Sequence, residues 1–235
     1  SKSQCKKTIV SIFINPTQFN NMNDYESYPI DISKDIELLD SISENIILFT
    51  PETHEMYSGK VVSDSYDLGD LDKYMEGKHR KGHFQGVATV VHKLFEIVTP
   101  KNVYFGEKDF QQLRIIEDLV QRNRYKLNVI RCKTVRQNDG LALSSRNKKL
   151  DIYSQNIATN LFKALSFAKK NFETLDLEII YAKVVDLLQN FPLITVEYFV
   201  IANEEDLKPI KQKKKNQKYR AFIACLLYTS PSPRD

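Results

Sequence analysis

Short apolar runs alternate with longer amphipathic segments over the first 132 residues. The runs are rich in β-branched and aromatic side chains, which predicts buried strands at residues 8–14, 46–49, 103–105 and 127–132. Apolar residues at helical spacing predict helices at residues 31–43, 84–98 and 109–124, with Asp109 as a candidate cap of the last one. Strands that alternate with helices of this length are typical of a parallel α/β sheet, buried on both faces.

The periodicity changes after Asn147. Two helical patterns at residues 153–172 and 177–191 precede two strand patterns at residues 195–201 and 219–224. Two helices followed by a strand pair indicate a separate, small α+β domain. We therefore predict one domain over residues 1–132 and a second over residues 133–224.

Composition narrows the class of protein. Of the 235 residues, 42% are hydrophobic and 27% are charged, as in globular chains, and no apolar run approaches the roughly 18 residues of a membrane span. The net charge of +4 does not suggest a nucleic-acid binder, and the lysine-rich segment 211–218 is interpreted as a solvated loop between strands. Three widely spaced cysteines lack metal-site or disulfide spacing, which favours a reducing compartment such as the cytoplasm.

The two ends of the chain suggest a fragment. The chain has no initiator methionine and reaches a predicted strand by Thr8. At the other end, residues 225–235 read CLLYTSPSPRD, and one codon choice for them resembles a transposase-adapter sequence translated in frame. We predict that this segment is an adapter-derived artefact and leave it out of the fold prediction.

Polar side chains follow the first predicted strand and precede the second long helix. Asn15 and Gln18 carry amides that can donate and accept hydrogen bonds to a polar group or a carboxylate. Arg80 and His83 lie just before a helix and beside glycines, where positive side chains and free amides favour an anion. Taken alone, either segment could also be an ordinary loop or a basic turn.

A third polar segment, at residues 105–112, reads FGEKDFQQ. It lies between the end of a predicted strand and the start of a predicted helix. Lys108 suits a phosphate, Asp109 suits a hydrated magnesium ion, and Gln112 follows one turn later on the same side. The Lys-Asp pair could equally be only an ion pair and a helix cap.

The fourth polar segment, at residues 134–147, reads TVRQNDGLALSSRN. It combines an Asp-Gly turn with a cluster of Ser144, Ser145 and Arg146. Hydroxyls and a guanidinium suit phosphate oxygens and the charge that develops on a reacting phosphorus. Four of the seven glycines lie in these polar segments, which predicts tight turns or close approach of the backbone to a ligand.

Together these segments resemble the pantothenate synthetase (pantoate–β-alanine ligase) family. The resemblance is carried by IFINPTQF at residues 12–19 and by residues 80–95, 105–112 and 139–147, and it extends from Thr8 to Ala224. This family, which serves coenzyme A biosynthesis, condenses pantoate with β-alanine through a pantoyl adenylate, using ATP with magnesium and releasing pyrophosphate and AMP. The resemblance implies a Rossmann-like nucleotidyltransferase domain that binds ATP and pantoate, a C-terminal α+β lid domain that carries the SSRN loop, and a homodimer.

The resemblance also implies roles for individual residues. Gln18 and Gln112 would bind pantoate, while Asn15, Arg80 and His83 would support that pocket or the β-alanine subsite. The residues implied to contact ATP are Gly106, Glu107, Lys108, Asp109, Val135, Leu143, Ser144, Ser145 and Arg146. Within these sets Lys108, Arg146 and Arg80 are the candidate catalytic residues, Asp109 would lie near magnesium, and Val135 would line the adenine.

The chain departs from the family in two ways. Lys81 stands where the family commonly has proline, which we expect to change the stiffness of the loop more than its chemistry. The family's first strand and its histidine-rich adenylylation signature have no counterpart in these residues and would lie upstream of Ser1. We therefore expect the chain as written to have little synthetase activity, although the natural gene would encode an active enzyme.

Two other functions stay open. A nucleotidyltransferase of the same superfold, such as a cytidylyltransferase-like enzyme, would share Lys108 and the loop at residues 144–146, but it has no reason to carry Asn15 and Gln18. Pantoate-dependent exchange of pyrophosphate into ATP would distinguish the two. An RNA-binding module would instead use the lysine-rich segment and would show salt-dependent affinity for RNA.

Overall fold

A computed structural model describes residues 5–43 and 45–227 of the chain. The strands, in chain order, are β1 (Thr8–Ser11), β2 (Ile46–Phe49), β3 (Asn102–Gly106), β4 (Asn128–Cys132), β5 (Ile194–Asn203) and β6 (Tyr219–Leu227). The helices are α1 (Met22–Glu26), α2 (Ile32–Ile42), α3 (Thr53–Met56), α4 (Met75–His79), α5 (His83–Val98), α6 (Phe110–Arg122), α7 (Ile152–Asn171) and α8 (Leu177–Gln189).

Contacts divide the chain into two units. The first unit combines residues Ser1–Gly69 and Arg80–Cys132, and the second combines Asp70–His79 and Lys133–Asp235. The ligand-binding and lid roles of the two domains stay predictions. Over the described ranges, none of the helices has the length and hydrophobicity needed to cross a bilayer.

The strands of the first unit pair as predicted for a parallel α/β fold. β1 pairs in parallel with β2, and β3 pairs in parallel with β4. Within residues 5–43 and 45–227 these pairs form two separate two-stranded ladders. Each ladder delivers a loop with candidate site residues at its carboxyl end, which is the edge where open α/β sheets bind ligands.

β1 is shorter and more exposed than predicted. It ends at Ser11 instead of Ile14 because its partner β2 ends at Phe49, and Pro51 soon follows with no N–H to donate. The amide of Ile12 makes one more bond, to the carbonyl of Phe49 at 2.9 Å. Burial on both faces is a wrong prediction for this strand, since Ile9 is 40% exposed and its partner Ile47 is 48% exposed.

The core of the first unit is built from α5 and α6. α5 begins after Gly82, which has a left-handed φ of +80°, and it ends at Val98, before Thr99 and Pro100. Its first half is almost entirely buried, and α6 buries one apolar side that includes Phe110 and Leu113. Both helices begin directly after a segment with candidate site residues, so their packing fixes where those segments start.

The second unit packs α7 and α8 against an antiparallel pair of strands. β5 and β6 pair along nearly their whole length, with a bulge between Val196 and Tyr198. β6 continues to Leu227, three residues beyond the predicted end of the strand. Residues 228–235 lie outside the described residues, and the origin of the segment from Cys225 onward stays a prediction.

The lysine-rich segment 211–218 lies in the connection between β5 and β6, as predicted, and most of its residues are exposed. Lys213 differs from its neighbours. Its ammonium group lies 5.0 Å from the centre of the Phe172 ring and donates to the carbonyl of Leu175. This lysine is therefore part of the packing of the second unit.

Candidate active-site segments

β1 leads into a 3-10 turn over Pro16–Gln18. Pro16 fixes its own φ and cannot donate to a ladder, so the chain turns there. The turn lies against α5, and Gly86 makes that approach possible because a Cβ at this position would lie 2.5 Å from the carbonyl oxygen of Thr17. Glycine at residue 86 therefore allows close contact between two segments of the protein.

The side chain of Asn15 is the centre of a buried hydrogen-bond network. Asn15 is 1% exposed, and its Nδ2 donates to the carbonyl of Gly86 at 2.9 Å. Its Oδ1 accepts from the hydroxyl of Tyr57 at 2.6 Å and from Oγ1 of Thr17 at 3.1 Å. Because both lone pairs of Oδ1 are occupied, Asn15 shapes the turn and has no spare acceptor for a ligand. The supporting role that the resemblance implies for Asn15 stays a prediction.

Arg80 and His83 hold the same turn from the other side. The backbone carbonyl of Gln18 accepts from Nδ1 of His83 at 2.7 Å and from Nη2 of Arg80 at 3.1 Å. Nη1 of Arg80 lies 3.2 Å from Nε2 of His83. A carbonyl only accepts and a guanidinium only donates, so this geometry requires a neutral imidazole with its proton on Nδ1. His83 is thereby a positioning group whose Nε2 has no proton to give.

Two side-chain amides of the first unit are left available for a ligand. Gln18 and Gln112 are both half-buried, and within residues 5–43 and 45–227 neither side-chain amide has a hydrogen-bond partner. Gln18 lies at the end of the 3-10 turn, and Gln112 lies in the first turn of α6. An amide that is partly removed from water gains from a partner, so these two groups suit a small ligand with hydroxyl and carboxylate oxygens.

β3 is followed by a 3-10 turn over Glu107–Asp109 that leads into α6. Asp109 occupies the N-cap position of α6, but its side chain makes no capping bond, so the prediction that it caps the helix is wrong. The carboxylate lies instead 3.4 Å from Nζ of Lys108, and both side chains are exposed. The turn therefore presents one cation and one anion to solvent at the start of a helix.

Gly106 stands in contrast to Gly86. Its φ is −76°, which any residue adopts, and the nearest atom to a Cβ placed on it is the Lys108 nitrogen, 4.0 Å away. Neither conformation nor packing within the described residues requires glycine here. A side chain at this position would, however, occupy the open space in front of the turn.

The turn carries two acidic side chains, Glu107 and Asp109, and the Asp109 carboxylate is the exposed one. No group of three or more histidine, cysteine, aspartate or glutamate side chains within residues 5–43 and 45–227 is arranged to hold a metal ion. Mg²⁺ is commonly held by one or two carboxylates together with substrate phosphates and water. The exposed Asp109 fits that mode of binding and does not by itself form a protein-only site.

In the second unit, residues 135–143 form a short antiparallel hairpin. The amide of Leu143 donates to the carbonyl of Val135 at 3.0 Å, and Arg136 forms a bridge with Ala142. Val135 and Leu143 are thus opposite each other, so their side chains share one face of the hairpin. They are 65% and 49% exposed, and an exposed apolar pair of this kind suits the flat face of a base.

The hairpin leads directly into the serine–arginine loop. Oγ of Ser144 accepts from the amide of Arg146 at 3.2 Å and so caps a 3-10 turn over Ser145–Lys149. Nδ2 of Asn147 donates to the carbonyl of Ala142 at 3.0 Å, which ties this turn to the hairpin. Ser144 is therefore engaged in the protein, whereas Ser145 and Arg146 are exposed.

Sequence reasoning missed Tyr57, which is 4% exposed and bonds directly to Asn15. The hydroxyl oxygen of Tyr57 also lies 3.1 Å from Oγ1 of Thr17, so this hydroxyl contacts two residues of the turn. It follows α3, and 42 residues separate it from Asn15. No periodicity or motif marks such a partner, because the contact depends on the tertiary fold alone.

Comparison with known proteins gives one consistent result. A family model described as pantoate-beta-alanine ligase matches residues 1–230. The pantothenate synthetase of Flavobacterium psychrophilum is 45% identical over 220 residues, which cover 94% of this chain and 78% of that protein. The pantothenate synthetase of Christiangramia forsetii is 43% identical over 219 residues, which cover 93% and 77%.

Solved structures agree with this result. The pantothenate synthetase of Thermus thermophilus has a TM-score of 0.88 at 33% identity, covering 96% of this chain and 83% of that one. The pantoate-beta-alanine ligase of Francisella tularensis, complexed with beta-gamma ATP and beta-alanine, has a TM-score of 0.73 at 34% identity, covering 96% and 81%.

Proposed function

Because the chain belongs to the pantoate–β-alanine ligase family, we propose that its protein joins pantoate to β-alanine with cleavage of ATP to AMP and pyrophosphate. The observation that carries this proposal is the pair of unpartnered, half-buried amides of Gln18 and Gln112, in the unit that also presents Lys108. A related ligase complexed with an ATP compound and β-alanine supports it. The proposal replaces the two alternatives that the sequence left open.

Pantoate would bind through the two glutamines. Its hydroxyl and carboxylate oxygens match amides that both donate and accept. The backbone of Gln18 is already fixed before pantoate binds, because its carbonyl accepts hydrogen bonds from Arg80 and His83. Preorganisation of this kind lowers the entropy lost when a small ligand binds.

ATP would contact the residues that the resemblance implies for it. Lys108 would neutralise phosphate charge, and the open space at Gly106 would let phosphate groups approach the backbone. Val135 and Leu143 would cover the adenine, while Ser145 and Arg146 would bind phosphate oxygens. Asp109 would hold Mg²⁺ together with those oxygens, and the ion would supply further charge neutralisation.

The proposed chemistry has two steps. A carboxylate oxygen of pantoate attacks the α-phosphorus and pyrophosphate leaves, which gives pantoyl adenylate. The amine of β-alanine then attacks the acyl carbon and AMP leaves. The residues of this chain would orient the reactants and stabilise charge on the phosphorus, with Lys108 and Arg146 as the main cations. Arg80, which also bonds to the Gln18 carbonyl, would act near pantoate.

His83 would not act as a general acid, because its Nε2 faces the Arg80 guanidinium and its proton is on Nδ1. No histidine of this sequence can be assigned to the family's adenylylation signature, so we expect the 235 residues alone to have little synthetase activity. We further propose that the enzyme is a cytoplasmic homodimer, as the resemblance implies.

Pyrophosphate exchange tests this function in the protein encoded by the complete gene. We expect labelled pyrophosphate to enter ATP only when pantoate is present. Gln112→Ala should weaken pantoate binding about 10- to 100-fold, since a hydrogen bond to a charged group contributes about 1.5–3 kcal/mol. Gln121→Ala is the matched control, because Gln121 is exposed further along the same helix. Exchange of pyrophosphate into ATP at the same rate with and without pantoate would refute the proposal.

A further inference from the structure

Arg136 is a cation without an acidic partner. Its Nη1 donates to the carbonyl of Gly140 at 3.0 Å, and its guanidinium carbon lies 4.6 Å from the centre of the Phe162 ring. Within the part of the chain that the structure describes, no carboxylate pairs with it. Burial lowers the pKa of the Arg136 guanidinium, which agrees with a group that has exchanged water for a ring and a carbonyl.

The same ring contacts the turn of the hairpin. Gly140 has a φ of +93°, a conformation that side chains with a Cβ rarely adopt. A Cβ at this position would overlap the ring of Phe162. One aromatic side chain on α7 therefore touches both the turn backbone and the arginine that spans the turn.

The ring of Phe162 contacts the turn of the hairpin, whereas Val135 and Leu143 pair at the open end, one residue beyond the Arg136–Ala142 bridge. The amide of Gln137 donates to the carbonyl of Leu141 at 2.8 Å, and Leu141 is buried. The turn and the open end of the hairpin are therefore connected by hydrogen bonds. Asn147 extends the connection through its bond to the carbonyl of Ala142. A displacement at the turn would consequently move Val135 and the loop at residues 143–146 together.

We propose that Arg136 is a positioning residue for ATP, which acts through Gly140 and Phe162 to hold residues 135–146 in the conformation that binds the nucleotide. It would not touch ATP itself. The inference rests on the proposed function, since it presumes that Val135, Leu143 and Arg146 contact ATP. The contacts that carry the inference are those of Arg136 to Gly140 and Phe162.

A double-mutant cycle tests the inference in the protein encoded by the complete gene. Arg136→Met keeps the length of the side chain but removes the cation and the donor, and Phe162→Leu removes the ring. We expect each change to raise the KM for ATP about 3- to 30-fold, the range that corresponds to one cation–π contact. The double variant should lose less than the sum of the two single effects, because both changes break the same contact between guanidinium and ring.

Further readouts separate positioning from a general loss of structure. The KM for pantoate should stay within about twofold of the wild-type value, because the pantoate residues lie in the other unit. Arg136→Lys keeps the charge but lacks the planar fork, so its KM for ATP should lie between those of the wild type and Arg136→Met. Lys163→Met, an exposed change beside Phe162 on α7, is the control and should leave all constants unchanged.

The outcomes are distinct. An unchanged KM for ATP in Arg136→Met overturns the positioning role and leaves the ligase function intact. A large effect of Arg136→Met with none from Phe162→Leu means that Arg136 binds ATP directly, which also overturns it. A wild-type protein that does not bind ATP refutes the proposed function and the inference with it. If Arg136→Met fails to fold, Arg136→Lys and Phe162→Leu decide by the same criteria.

Discussion

The turn at residues 15–18 and the hairpin at residues 135–143 both carry candidate ligand-binding side chains, but they are held in different ways. The turn is fixed by Asn15, a buried amide with three hydrogen bonds, and by backbone contact with α5. The turn of the hairpin packs on Phe162 and accepts a bond from Arg136 at the Gly140 carbonyl, and the open end presents exposed Val135. The turn is held by one buried side chain at its first residue, whereas the hairpin packs on α7 through its own turn and leaves an apolar pair exposed.

This difference matches the ligands proposed for the two segments. A small polar acid is recognised by hydrogen bonds that need fixed geometry, and a buried network provides it. A nucleotide offers a large flat base, which tolerates small adjustments of an exposed apolar surface. Buried networks also lose more free energy when one member is removed, so the two segments should respond differently to substitution.

Gly86→Ala should have the largest effect and would sharpen the comparison. The new methyl group would meet the Thr17 backbone, which cannot rotate away, so we expect a loss of about 2–3 kcal/mol in the free energy of unfolding, measured by urea titration. Gly106→Ala is the matched control, with open space and an ordinary φ. It should leave stability unchanged but weaken ATP binding. Equal stabilities of the two variants would contradict the close contact described for Gly86.

Tyr57→Phe should have the next largest effect. The change leaves one lone pair of the buried Asn15 oxygen without its donor, which costs about 1–2 kcal/mol of folding stability. Because the turn carries Gln18, the KM for pantoate should rise while the KM for ATP stays constant, the reverse of Arg136→Met. Tyr153→Phe is the control, since Tyr153 is 65% exposed. A change in both KM values would show that the two segments are not independent.

Tyr66→Phe should change the stability only at alkaline pH. Burial, with a smaller contribution from the nearby Asp64 carboxylate, raises the pKa of Tyr66 to about 12. An unfolded tyrosine ionises near pH 10, so the folded state favours the protonated phenol. The stability that this provides is complete below about pH 10 and is lost as the pH rises towards about 12.

Urea midpoints at pH 9 and pH 11 measure this effect. The wild type should lose more stability between the two values than Tyr66→Phe, and Tyr153→Phe should behave like the wild type. Tyr66 packs beside α5, because its amide donates to Oε1 of Gln85 at 2.8 Å. The alkaline loss should therefore affect the unit that holds the turn. An equal loss of stability between pH 9 and pH 11 in the wild type and in Tyr66→Phe would refute this expectation.

Lys81→Pro should have the smallest effect, and it should stabilise the protein. Residues 80–83 form a turn in which the His83 amide donates to the Arg80 carbonyl at 3.1 Å and Gly82 has φ +80° and ψ −12°, as in a type II turn. Proline is favoured at the position of Lys81, and the Lys81 N–H makes no hydrogen bond within the described residues. We expect a gain of about 0.4–1 kcal/mol in the free energy of unfolding. Destabilisation relative to Lys81→Ala would contradict the turn type.

The sequence predicted the order and type of the long elements, because periodicity is a local property. The strand at residues 46–49 was predicted with its observed bounds, and the helix predicted at residues 84–98 differs from α5 by one residue at its start. The predicted ends of an element were wrong where a neighbouring segment determines the end. β1 ends early because β2 ends, and Asp109 turns to Lys108 instead of capping α6.

What the sequence by itself determined is the family, the parallel α/β and α+β elements and the short segments with binding chemistry, since these depend on residue type and spacing along the chain. Only the tertiary structure decided which polar groups the protein uses for itself. Asn15 is occupied by partners 42 and 71 residues away, whereas Gln18, three residues further on, keeps its amide available. Such an allocation depends on contacts between distant segments, and the spacing along the chain does not specify those contacts.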